Sequence, residues 1–485
     1  HEMTLLPNRV SLTLQGREIQ VGAWVYEIIG ATGYPLPVYF LDTDFEPNHP
    51  DDRRLTWNLY GGDNYHRLCQ EFILGVGGLR MLRDLGYMNI ETFHLNEGHA
   101  GFLTLELMRE QGYYDSDKIR EQVVFTTHTP VPAGHDYFEF NLIERAFPPD
   151  ALATIRRMMP DMPGVSMTEL GLRYSRYVNG VAKKHAEVSN AMFKMETVDW
   201  VTNGVHPLTW ISSGMLRLYN KYIPGWDQDP GRLVQALTIP KQELWAAHRA
   251  SKLRLFARVL ECTGKQLDPE VLTLGFARRA ATYKRAELLF SDLNRFVEVA
   301  GGRKVQFIFS GKAHPKDNGG KAVLQKIKKT AKELEGTVTI VFIDNYNMEI
   351  ASLLTQGVDV WLNTPMRPRE ASGTSGMKCT MNGIMNFSVL DGWWIEGWIE
   401  DVTGWSIGPE PSKADYESHH YDESLDAIDL YDKLQNKIIP TYYNEREKWL
   451  SMMQHTIALN ASFFNTHRVV KEYSSKAYSI DFRGM

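Results

Sequence analysis

The chain has 485 residues, 43% hydrophobic and 23% charged, with a formal net charge of −6. Such a length builds more than one core, so two or three domains are expected. The mild acidity argues against bulk nucleic-acid binding or a polybasic membrane anchor. Cys69, Cys262 and Cys379 are far apart; they show no metal-ligand spacing and no disulfide framework, which fits a reducing compartment. No apolar run is long enough to span a bilayer and no signal peptide precedes the first strand-like segment, so a cytoplasmic enzyme without a membrane partner is expected. Twelve Trp and 22 Tyr offer faces on which sugars stack, although most aromatics at this frequency serve the core.

Residues 9–42 alternate apolar and polar side chains and read as strands. Strand-like runs follow at 90–95, 123–127, 272–277, 305–310, 337–343 and 358–362, with helix-like runs at 99–109, 284–299 and 320–334. Alternation of this kind predicts α/β architecture, with parallel sheets covered by helices on both faces. A break at Asn203-Gly204, after a strand-like 199–202, suggests domains at 1–203 and 204–485. The polar stretch 409–423 reads as a surface loop, and the last ~60 residues read as helices. Gly75, Gly77 and Gly78 follow a helix-like run rather than a strand, so they read as close helix packing and not as a nucleotide loop. His94 and His99 flank Glu97, but one lies on a strand and one on a helix, with no third ligand at convincing spacing, so no metal is expected.

Nearly every unusual polar motif sits directly after a strand: His94 to His99, Thr126 to Pro130, Arg278-Arg279, Gly311-Lys312, Asp344 to Tyr346, and Asn363 to Pro365. In a doubly wound sheet, ligands bind at the carboxyl ends of strands, so these motifs are expected to converge. Arg278-Arg279-Ala-Ala-Thr-Tyr283-Lys284-Arg285 concentrates cations at such an end. It reads as an anion trap, since positive charge at a helix start opposes the helix dipole and has no local stabilising role. Glu370-Ala-Ser-Gly-Thr-Ser-Gly-Met-Lys378 follows the strand at 358–362 and leads into a predicted helix at 377–384. Its small residues allow a close backbone approach, a helix start offers N–H groups to an anion, and a lysine beside an anion site suits a phosphate-bearing aldehyde cofactor. The pattern by itself also fits a plain surface loop.

The segment EASGTSGMK, followed by Asn382-Gly383, resembles the cofactor segment of the α-glucan (glycogen, starch, maltodextrin) phosphorylases. The basic segment at 278–285, Val201-Thr-Asn203-Gly204-Val-His-Pro207 and Val178-Asn-Gly-Val-Ala182 with His185 resemble further family motifs. The likeness covers almost the whole chain, and the spelling of residues 276–286 is closer to the bacterial and archaeal short-type branch. No match occurs to the family's upstream Gly-rich turn, so a member lacking its N-terminal segment is expected.

The resemblance implies a glycosyltransferase-B fold: two Rossmann-like domains with an active-site cleft between them and a C-terminal helical tail, the last helix packing back on the first domain. It implies a retaining, reversible phosphorolysis of α-1,4-glucan by inorganic phosphate to α-glucose 1-phosphate, with pyridoxal 5'-phosphate on Lys378. Arg278, Thr374, Ser375, Trp210 and Tyr346 would surround the cofactor; Arg279 and Lys284 would hold the substrate phosphate. His128, Asn203, Glu370 and the Ala371, Ser372 and Gly373 backbone would meet the sugar. Arg278 stands where many relatives have lysine, and Asn347 where the animal enzymes have arginine. A homodimer is a common family state. Two alternatives are a nucleotide-sugar glycosyltransferase of the same architecture, which would not need Lys378, and a non-catalytic glucan-binding protein.

Overall fold

The structure, a computed structural model, describes residues 3–59, 61–112, 116–160, 162–194, 196–302, 304–315, 317–410 and 422–479. The chain divides into two compact units, His1–Gly180 with Ser189–Trp200, and Val181–Val188 with Val201–Met485. Among the described residues, no helix is long and apolar enough to cross a membrane.

In the first unit, β1 (Thr4–Leu14), β2 (Arg17–Ile29) and β3 (Pro35–Asp42) form an antiparallel sheet, with an irregularity between Leu5 and Arg9. A second sheet is parallel, in the order β4 (Phe93–Asn96), β5 (Val123–Thr126), β8 (Tyr177–Gly180), β9 (Asp199–Trp200). Strands β6 (Tyr137–Glu139) and β7 (Gly164–Ser166) pair as a small antiparallel ribbon. The glycines at 75–78 lie in a helix, as their context predicts. A Cβ on Gly75 would stand 2.5 Å from the Leu103 backbone nitrogen, so glycine there permits a close helix approach.

The second unit is built on six parallel strands: β10 (Leu272–Arg279), β11 (Val305–Lys312), β12 (Thr339–Ile343), β13 (Val360–Asn363), β14 (Met385–Val389) and β15 (Gly404–Ile407). Their spatial order is β12-β11-β10-β13-β14-β15. The chain winds outward from β10 through β11 to β12, then returns to the other side of β10 and winds outward again. Helices including Leu293–Ala300, Asn318–Glu333 and Met348–Gly357 make the crossovers. Leu272 to Ala277 is buried at every position rather than at alternate ones, and the run Leu-Thr-Leu-Gly-Phe-Ala accordingly carries no charged side chain. The C-terminal region is helical through Glu423–Lys433, Ile439–Asn444, Arg446–His455 and Thr466–Lys476. The polar stretch predicted as a loop lies mostly at 411–421, outside the described residues.

Two helix predictions need correction. Residues 284–299 are not one helix: a 3-10 turn at Thr282–Lys284 ends at Arg285, whose φ of 43° is left-handed, and the helix begins only at Leu293. The helix predicted at 377–384 runs instead over Thr374–Thr380. Gly373, at φ 86°, sets its start and the left-handed Gly383 turns the chain into β14.

Candidate active site

The winding direction of the second unit reverses between β10 and β13, the position at which open α/β sheets leave a crevice. Strand β10 ends in Arg278 and Arg279, and β13 ends at Asn363, shortly before Glu370. The fold therefore brings together segments far apart in sequence. Arg278 Nη2 donates to Glu370 Oε2 at 2.8 Å, and Lys284 Nζ donates to Oε2 at 2.6 Å and Oε1 at 2.8 Å. These three side chains are only 10–11% exposed. Burial opposes ionisation of Glu370, but Arg278 and Lys284 outweigh it and hold the carboxyl below its usual range. Burial, helped by the charge of Arg278, pulls Lys284 down to about 8 against the attraction of Glu370. Arg278 Nε and Nη1 are buried without a hydrogen-bond partner, so this cation is engaged on one side only.

Arg279 is not drawn into this group; it is exposed and bonds towards Tyr283. The loop is instead anchored by Arg285, which donates to the carbonyls of Thr364 at 3.1 Å and Pro365 at 2.8 Å and to Asp426 Oδ2 at 2.6 Å. Arg367 grips the other oxygen of Asp426. Thr364 Oγ1 donates to the carbonyl of Arg285 at 2.9 Å, and the Met366 amide donates to the Tyr283 carbonyl at 2.7 Å. The basic turn and the segment after β13 are thus tied together along their backbones.

Lys378 lies on the helix Thr374–Thr380, its Nζ 3.8 Å from the centre of the Trp210 ring. Burial lowers its pKa. Asn382, fully buried, fixes this pair. Its amide donates to the Trp210 carbonyl at 2.9 Å and the Thr355 carbonyl at 3.1 Å, while Oδ1 accepts from the Ser212 amide at 2.8 Å. Ser375 Oγ is 3.3 Å from Trp361 Nε1. Tyr346 is half-buried, with its pKa raised by burial and opposed by the nearby charge of Arg278. Asn347 caps the next helix, accepting from the Ile350 amide at 2.9 Å. The Ser372 hydroxyl is buried without a partner.

Sequence reasoning missed Asp391 and Asp426. Asp391 accepts the amides of Glu370 and Gly392 at 2.9 Å each; burial and the charge of Glu370 push its carboxyl up to about 7. Asn203 belongs to the second unit, its amide donating to Val181 and its carbonyl accepting from Arg468.

In the first unit, Glu97 at φ 69° accepts the His128 amide at 2.7 Å and the Thr129 hydroxyl at 2.9 Å, while Asn96 Oδ1 is 2.5 Å from His128 Nε2. His128 is therefore held at ring and backbone, and burial lowers its pKa. His94 and His99 separate as predicted: His94 Nε2 is 2.7 Å from Thr126 Oγ1. His99 instead meets Glu71 and Asp136, a grouping not seen in the sequence, with ligand-capable atoms within 4.8 Å of one another. Arg67 contacts both carboxylates, so two cations face two acids.

A family model described as carbohydrate phosphorylase matches residues 143–404. The chain belongs to the carbohydrate phosphorylase family. The matched region contains the Arg278, Lys284 and Glu370 group at the strand reversal and the Lys378–Trp210 pair. Maltodextrin phosphorylase of Thermococcus litoralis is 39% identical over 484 residues, an alignment covering 92% of this family member and 57% of that protein. Glycogen phosphorylase of Aquifex aeolicus is 36% identical over 517 residues, covering 96% and 73% respectively. For glycogen phosphorylase of Mycobacterium tuberculosis the figures are 36% over 506 residues, 92% and 58%. The chain thus spans somewhat over half the length of the Thermococcus and Mycobacterium relatives.

Proposed function

We propose that the chain carries the phosphorylase centre, for reversible phosphorolysis of a terminal α-1,4-linked glucosyl residue by inorganic phosphate to α-glucose 1-phosphate. The observation that carries this reading is the juxtaposition of Arg278, Lys284 and Glu370 at the ends of β10 and β13. This chemistry needs concentrated positive charge to hold anions at a sugar. The names of the relatives point the same way.

The residues present fit pyridoxal 5'-phosphate. Lys378 offers an amine whose protonation burial disfavours, set against an aromatic ring, and Arg278 keeps buried donors without partners. Lys378 would hold the cofactor; Trp210, Tyr346, Thr374, Ser375 and Arg278 would surround it. When bound, the group supplies a phosphate that exchanges a proton with the substrate phosphate. Arg279 and Lys284 orient the substrate phosphate beneath the sugar, and that phosphate gives its proton to the leaving glycosidic oxygen. The bond from C1 to that oxygen breaks, and a bond from C1 to a phosphate oxygen forms on the same face. His128, Asn203, Glu370 and the backbone at Ala371, Ser372 and Gly373 position the sugar hydroxyls. No pair of carboxylates is required, unlike in glycoside hydrolysis.

The proposal extends to architecture: two Rossmann-like domains of glycosyltransferase-B type, near 1–203 and 204–485, enclosing the site. Two parallel sheets, one in each unit, support it. The test is peptide mapping after borohydride reduction of the chain incubated with pyridoxal phosphate. A pyridoxyl adduct confined to Lys378 is expected; adducts spread over surface lysines with none at Lys378 would overturn the reading.

A further inference from the structure

We propose that Glu370 is an internal anion that occupies the phosphate-binding cations of the ligand-free protein and leaves them when inorganic phosphate arrives. One carboxylate then couples the anion seat to the sugar seat. The inference rests on the phosphorylase reading for the identity of the anion and of the sugar acceptor.

The geometry is that of a filled anion seat. Both Glu370 oxygens are used, in three hydrogen bonds to Lys284 and Arg278. A carboxylate offers about four acceptor directions, so little capacity remains for a sugar hydroxyl while the pairs persist. The seat also has unused donors: Arg278 Nε and Nη1 remain buried without partners. Buried donors without acceptors are unfavourable, so a phosphate carrying more charge than one carboxylate is the better occupant. A phosphate on Lys284 would stand against the Glu370 carboxylate that Lys284 now holds, and like charges at that distance repel.

The backbone is arranged for the side chain to move alone. The Glu370 amide is held by Asp391 at 2.9 Å. Downstream, the Ser372 carbonyl accepts the Trp393 amide at 2.9 Å. A Cβ at Gly392 would approach that carbonyl to 2.5 Å, so the two segments lie in close contact. Phosphate therefore releases a carboxylate rather than a loop, and the released carboxylate becomes the acceptor for a sugar hydroxyl. By linkage, each ligand then strengthens the other.

The test uses the whole chain, inorganic phosphate and two readouts. Phosphorus NMR titration should show phosphate binding E370Q roughly 5- to 150-fold more tightly than wild type, the usual range of a coupling between sites. In the wild type, carbodiimide-driven amidation read by mass spectrometry should increase at Glu370 on addition of phosphate, relative to chloride at equal ionic strength. Unchanged or weaker phosphate binding in E370Q overturns the inference, as does labelling at Glu370 that does not rise. The labelling arm needs no variant and stands if E370Q folds poorly. The pyridoxyl map at Lys378, made on the same wild-type protein, reports the phosphorylase reading separately.

Discussion

Asp426→Asn should destabilise the second unit by about 3 to 5 kcal/mol. Asp426 is 3% exposed and lies between Arg285 and Arg367, one oxygen to each. Asparagine keeps the volume, so no cavity term enters. It removes the charge, and it turns an NH2 group towards a guanidinium that can only donate. Two charge-assisted hydrogen bonds at ~1.5–3 kcal/mol each give about 3 to 6, and removing one partner from a buried ion cluster gives about 3 to 5. The remaining carbonyl bonds, Arg285 to Thr364 and Pro365 and Arg367 to Pro409, favour the lower half. Urea unfolding read by tryptophan fluorescence suits the assay, because Trp361, Trp394, Trp405 and Trp449 are buried in this unit. Glu243→Gln serves as control: its pair with Lys221 is 41% and 58% exposed, so the change should leave the unfolding midpoint nearly where it is. A loss below about 1 kcal/mol for D426N would refute the argument, since the cluster would then behave as an exposed pair.

Other perturbations test the site and the first unit. Phosphate affinity should decline as pH rises past about 8, where Lys284 gives up its proton. Lys284→Arg should bind phosphate without that decline, read by the same NMR titration. Asn382→Ala should cost about 3 to 5 kcal/mol, because it strands the Ser212 amide and the Trp210 and Thr355 carbonyls at ~1–3 kcal/mol per buried group. Chemical denaturation measures it, and a loss under 1 kcal/mol would count against this role. Gly376→Ala places a Cβ 2.3 Å from Asn386 Oδ1 and 2.9 Å from Trp393. It should cost ~1–3 kcal/mol by overpacking and weaken the pyridoxyl adduct at Lys378. His99 is raised to about 9 by its bonds to Asp136 and Glu71. A folded pKa above the unfolded value gives stability that is full below about pH 6.5 and lost as pH rises through about 9. His99→Gln should flatten that slope in thermal melts of the chain between pH 6 and 10.

The parts of this fold legible in the sequence are those decided locally. Strand β10 is legible because a strand buried on both faces carries no charged side chain along its buried run, and it extends only two residues beyond the predicted end. The turn at 282–285 is not legible in the sequence, because the residue that breaks it, Arg285, is an ordinary helix former. It adopts φ 43° while its guanidinium is bonded to partners 79 and 141 residues away. The start of helix Thr374–Thr380 is not legible in the sequence for a related reason. Gly373 and Gly376 look like loop residues, yet Gly376 is required inside the helix by Asn386 on the next strand and Trp393 just beyond it. Asp391 and Asp426 carry no motif, and their roles come from what they touch.

The motif residues themselves also depend on this long-range placement. Arg278 and Glu370 are 92 residues apart and meet because β13 returns beside β10 after two strands have been laid on its far side. A reading of the segment 370–378 by itself yields a lysine on a small-residue turn, which fits a loop as well as a cofactor site. The strand reversal changes that inference. It places the acid that opens the segment against the cations that close β10, and burial then makes each of the three depend on the other two. Removing any one leaves charge in a site about nine-tenths closed to water, where an uncompensated ion is costly. The same interdependence makes the cluster responsive to an incoming anion: the added charge must be met by moving one of its members, and only Glu370 has the sign that repels it.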